Sequence, residues 1–66
     1  MNFIATVDEN QRSNIQEIAK TLEKMGIRVR EVMRISGVIT GSSKTLANVR
    51  IKGIRSVEQD RRLGIS

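Results

Sequence analysis

Ile15, Ile18, Ala19, Leu22 and Met25 recur at helical spacing, and Glu17, Lys20, Glu23 and Lys24 fall on the other side. An amphipathic stripe of this kind cannot stand alone in water, so it dictates that another element supply an apolar face for it to cover. Ser13 with Gln16 three residues on reads as a capping box, and Gly26 as the residue that ends the helix in a left-handed conformation. The spacing therefore predicts a helix over 14–25. On both sides of it the hydrophobic period drops to two. Residues 2–7 alternate Phe3, Ala5 and Val7 with Asn2, Ile4 and Thr6, predicting a strand whose first set faces the core, followed by a polar loop over 8–12. Residues 27–35 alternate again, with Ile27, Val29, Glu31, Met33 and Ile35 on the inner register. Glu31 in that set calls for either a bulge or an early strand end. Past Ser36 and Gly37, residues 38–42 read as a hairpin partner. Ser43 is expected to cap a second, shorter helix over 44–50, with Leu46 and Val49 inward, before Lys52 and Gly53 turn into a last strand from Ile54 to Gln59.

The order strand, helix, strand, strand, helix, strand implies an α+β fold. Its economical packing is a two-layer ferredoxin-like sandwich, βαββαβ, with a four-stranded antiparallel sheet and both helices on one face. Right-handed crossovers put the first and third strands in the centre and the second and last at the edges. The opposite sheet face stays open, and alternation assigns to it Ile4, Thr6, Arg28, Arg30, Val32, Arg34, Ser56, Glu58 and Asp60. Residues 1–60 make one domain, and 61–66 an extended tail able to reach roughly 20 Å.

Composition narrows the function. The chain has no cysteine and no histidine, which excludes thiolate zinc sites, disulfides and every Ser-His or Cys-His nucleophile arrangement. No Gly-rich phosphate loop occurs, and Lys20, Lys24, Lys44 and Lys52 read as solvent-facing, so the chain is not expected to be an enzyme, nor to need a cofactor or metal. Twelve Lys and Arg against seven Asp and Glu give +5 and a pI near 10.8, a balance that suits an anionic partner. Phe3 is the only aromatic residue, which weighs against modules that stack bases. Neither a secretory leader nor a membrane-length apolar run is present, so a cytoplasmic protein is expected.

Two blocks carry a resemblance. Ile35-Ser36-Gly37-Val38 is similar to a strand-turn-strand, and Gly53-Ile54-Arg55-Ser56-Val57-Glu58-Gln59-Asp60 to a closing Gly-Val-x-x-Val-Glu-x-Asp, of the subtilisin-propeptide family of folding assistants and protease inhibitors. The resemblance covers nearly the whole chain and rests on the joint spacing of the blocks. It implies a freestanding inhibitor, since the chain stops after the inhibitor-like domain. The open sheet face would pack on two helices of a subtilisin-like serine protease, with Glu58 and Asp60 at their N-termini, where an anion is favoured. The tail would run through the substrate cleft, with Ser66 in the pocket before the scissile position and Ile65, Gly64 and Leu63 leading back from it. Leu63 suits an apolar subsite, whereas Ser66 departs from the large apolar residue that such an end pocket prefers. Arg61 and Arg62 would stay on the rim.

Two other readings use the same fold. One is a basic domain that binds nucleic acid through Arg28, Arg30 and Arg34 on one strand; the other is a regulatory domain that self-associates through its open sheet face, monomer or weak homodimer. The inhibitor reading requires that Glu58 and Asp60 not be buried in pairs with the domain's own arginines.

Overall fold

The computed structural model describes residues 1–60. Its elements are β1 (Asn2–Val7), a 3-10 helix (Glu9–Asn14), α1 (Ile15–Lys24), β2 (Arg28–Met33), β3 (Val38–Ser42), a short 3-10 turn (Ala47–Val49) and β4 (Ile54–Gln59). The strands form one antiparallel sheet in the order β2-β3-β1-β4. β1 and β3 thus lie in the centre and β2 and β4 at the edges, as expected of a chain with these connections. Phe3, Ala5 and Val7 of β1 are buried, together with Ile39 of β3 and Val57 of β4. Ile15, Ile18, Ala19 and Leu22 of α1 join them in a single core.

The start of α1 differs from the sequence reading. Ser13 makes no capping box, because residues 9–14 are wound as a 3-10 helix that runs directly into α1. The Ile15 N–H donates to the Arg12 carbonyl, and neither Asp8 nor Asn14 makes a side-chain capping bond. Backbone groups that a cap would have satisfied are taken up by the preceding turn. The other end follows the reading closely. Gly26 has φ 87°; its N–H donates to the Glu23 carbonyl at 3.0 Å, and the Ile27 N–H to the Leu22 carbonyl at 3.1 Å. Both bonds belong to a Schellman motif, whose usual apolar contact is supplied by buried Ile27 and Leu22. Met25, placed in the stripe by its spacing, sits past the last turn and is 50% exposed.

The predicted second helix is corrected to three residues of 3-10 helix. Ser43 does not cap it: its hydroxyl donates to the Thr45 carbonyl at 2.9 Å, while Thr45 Oγ1 accepts from the Asn48 N–H at 3.4 Å. The side chains of Ser43 and Thr45 offer the backbone local alternatives to helix, and the seven residues 44–50 are too few to propagate one. Val49 still reaches the core, and Leu46 and Ile51 pack against it. The described structure is therefore a four-stranded antiparallel sheet covered on one face by one α-helix.

Between the alternatives left open by Glu31, the structure has the bulge. Val29 pairs with Gly41 and Glu31 with Thr40, so Arg30 is an extra residue in β2. Beyond it the strand's parity is reversed. Val32, expected on the open face, packs against the core; Glu31 and Met33, expected inward, are exposed. Arg34 and Ile35 fall in the turn rather than in the strand, and Ile35 is 95% exposed.

Candidate functional site

The face of the sheet opposite α1 is the surface on which the functional readings converge, and the strand registers lay it out in rows. Glu31, Thr40, Ile4 and Glu58 form one row across β2, β3, β1 and β4, and Met33, Val38, Thr6 and Ser56 the next. Ile4 and Val38 are half-buried, and Met33 is 39% exposed. The centre is therefore apolar, and the rim is polar or charged. Val38 and Thr40 were missing from the sequence-based list of open-face residues, although antiparallel pairing of β3 with β1 is enough to put them there.

Glu58 and Asp60, the two carboxylates singled out by the family motif, are placed differently. Glu58 is exposed on edge strand β4, opposite Ile4. Asp60 follows β4 and is tied to the start of β1, its N–H donating to the Asn2 carbonyl at 2.9 Å. Its side chain is only 7% exposed, although the residue as a whole is half-buried, and Oδ2 lies 3.9 Å from Nη2 of Arg30. That separation is an ion pair without a hydrogen bond. Arg30 stands on one edge strand and Asp60 beyond the other, so the guanidinium must cross the open face to reach it. For Asp60, this is the burial against an own arginine that the inhibitor reading required to be absent; Glu58 meets the requirement. Leu63, Gly64, Ile65 and Ser66 lie outside the described residues.

The same geometry bears on the arginine stripe. Arg28 is exposed on β2, Arg30 is drawn across the sheet toward Asp60, and Arg34 belongs to the turn. Arg34 shares a shallow depression with Arg12, beside Ser13, Ile15, Gln16 and Ile35. The bulge and the strand end thus separate three residues that alternation had put in one line.

Below the apolar centre lies a hollow of about 490 Å³, bounded by Ile4, Arg30, Glu31, Met33, Val38, Thr40 and Asp60. Thr40 is its floor, 5% exposed, and Thr40 Oγ1 has no hydrogen-bond partner. A second depression, on the helix side, runs between α1 and the residues preceding β4, lined by Gln11, Asn14, Ile18, Thr21, Ile51 and Lys52. It occupies the flank of α1 left bare by the shortened second helix. Among the described residues no group of acidic side chains is placed to hold a metal ion, and no helix is long and apolar enough to cross a membrane. The chain matches no protein-family model, no curated protein and no solved structure.

Proposed function

We propose that this chain is a binding module that inhibits a subtilisin-like serine protease, docking its open sheet face on the enzyme and inserting residues 61–66 into the substrate cleft. The architecture belonging to this reading is a ferredoxin-like sandwich whose second helix is reduced to a 3-10 turn. The observation that carries it is a sheet covered on one side and open on the other, with an apolar centre and an exposed Glu58 near the end of the last strand. Such a face offers contact area, and Glu58 offers an anion to the N-terminus of a partner helix, a contact worth roughly 0.3–1 kcal/mol.

Asp60 takes a different part in this reading from the one the family motif implies. Held to Arg30 and to the Asn2 carbonyl, it fixes the root of the tail at the rim of the open face. Glu58 is then the carboxylate that meets the partner. The nucleic-acid reading has lost its continuous arginine stripe and receives no comparable support.

The experiment is an inhibition assay against a panel of subtilisin-like enzymes, using the full chain, a chain ending at Asp60, and Glu58→Gln. The full chain is expected to inhibit at least one enzyme and to be recovered intact by mass spectrometry. Truncation is expected to abolish inhibition with an unchanged circular dichroism spectrum, and Glu58→Gln to weaken it by roughly two- to five-fold. Equal inhibition by the truncated chain, or digestion of the full chain without inhibition of any enzyme, would refute the proposal.

A further inference from the structure

Arg12 lies across the turn that joins β2 to β3. Gly37 in that turn has φ 71° and is buried, and a Cβ added to it would stand 2.7 Å from Arg12 Nε and 3.3 Å from its Cζ and Nη2. The guanidinium thus rests on bare backbone, and that backbone is fixed. The Gly37 N–H donates to the Met33 carbonyl and the Gly37 carbonyl accepts from the Val7 N–H, both at 2.8 Å. Arg34, at the start of the same turn, lines one shallow depression with Arg12, Ser13, Ile15, Gln16 and Ile35. Carboxylates face elsewhere: Glu17 lines the depression on the other flank of α1, Glu31 the hollow of the open face, and Asp8 and Glu9 stand outside this lining. Among the described residues neither Arg12 nor Arg34 forms an ion pair or donates a side-chain hydrogen bond. The turn is also remote from Asp60, since Gly37 is bonded to the last residue of β1 and Asp60 to the first, roughly 17 Å apart along the strand. A guanidinium held in place without a partner keeps its donors available and has little ordering left to lose on binding.

We infer that this end of the sheet binds an acidic segment of a partner protein, one in which two carboxylates flank an apolar side chain. The carboxylates fork onto Arg12 and Arg34, and Ser13 and Gln16 add hydroxyl and amide donors. The apolar side chain lies on Ile35, which is 95% exposed, and on the arginine stems. An exposed isoleucine between two cations suits a peptide better than a nucleic acid, for which the chain also has no stacking platform: its single aromatic residue, Phe3, is fully buried. One isoleucine on a turn is far less apolar area than insertion into a membrane surface requires. The depression shares no residue with the hollow of the open face, so an acidic segment would bind here whether or not that face docks on a protease.

The test uses no protease, so it can fail independently of the inhibition assay. The isotope-labelled full chain is titrated at low salt with the capped pentapeptide Gly-Glu-Leu-Glu-Gly, with its Gly-Gln-Leu-Gln-Gly counterpart, and with a short DNA duplex. The acidic peptide is expected to shift the amide resonances of Ser13, Gln16, Ile35 and Ser36 saturably at millimolar concentration, with the glutamine peptide at least about five-fold weaker. Arg12→Gln and Arg34→Gln are each expected to weaken the acidic peptide about three-fold. Lys24→Gln, which removes the same charge from an exposed position of α1, is expected to leave its affinity within roughly 1.5-fold. Ile35→Ser is expected to weaken it about two-fold. Thermal unfolding of each variant shows that it is folded before titration. Equal affinity for the two peptides, no saturable shift, an equal loss for Lys24→Gln and Arg12→Gln, or tighter binding of the duplex through the same amides would each overturn the inference.

Discussion

The face of the sheet that α1 covers and the face it leaves open are made by the same four strands, yet they are assembled by different means. The covered face follows alternation: Phe3, Ala5, Val7, Ile39 and Val57 point one way because a strand's side chains do so, and the stripe of α1 lies on them. The open face owes its arrangement to a bulge that reverses the parity of β2, and to Arg30 and Asp60 meeting from opposite sides of the sheet. The covered face is apolar throughout and resembles any small core. The open face keeps an unpaired hydroxyl, two exposed carboxylates and an accessible methionine. The buried apolar side chains are thus concentrated on one side of the sheet, and exposed polar and charged groups on the other.

Substitutions on the two faces should therefore differ in sign as well as size. Phe3→Ala, at a position with 0% exposure, is expected to cost about 3–5 kcal/mol, enough to unfold most of the population. Urea titration followed by circular dichroism would show it, and a folded variant of near wild-type stability would contradict the account of the core. Gly41 on β3 pairs with Phe3 of β1 on one side and Val29 of β2 on the other. A Cβ there would collide with the Arg28 carbonyl oxygen and meet the Phe3 ring at 3.0 Å. Gly41→Ala should cost on the order of 1–3 kcal/mol, with amide exchange fastest in β2, which must move away.

On the open face Thr40→Val should raise stability, by about 1 kcal/mol, since it removes a buried hydroxyl without a partner. A destabilised Thr40→Val would mean that the hydroxyl is satisfied and that the contrast between faces is overstated. The smallest effect belongs to Arg30→Ala. Its half-exposed ion pair with Asp60 should contribute less than about 1 kcal/mol, and the midpoint of urea unfolding should barely change. A loss comparable to that of Gly41→Ala would show that Arg30 contributes far more than a half-exposed ion pair.

Legibility in the sequence varied with the range of the interaction that fixes each feature. The helix, its Gly26 stop, the β1 core set and the hairpin around Gly37 follow from spacing and from left-handed backbone conformation, both of which are local. The second helix failed because Ser43 and Thr45 spend their side chains on nearby backbone groups, the Thr45 carbonyl and the Asn48 N–H, an alternative that a capping pattern does not reveal. For the candidate site, Glu58 was correctly placed on the exposed side of the last strand. Asp60 also lies at that face, but its burial beside Arg30 was not legible, because Arg30 lies thirty positions earlier in the chain.

From the amino-acid order alone follow the α+β class, the side of β1 that is buried, the extent of α1 and the lack of histidine or cysteine chemistry. Only the tertiary structure decided that Arg30 is an extra residue, that Val32 turns inward while Glu31 and Met33 turn out, and that a hollow floored by Thr40 opens among them. The reason is that alternation fixes which residues of a strand share a side, whereas pairing with a neighbouring strand fixes which side that is. A single unpaired residue reverses the answer for everything beyond it.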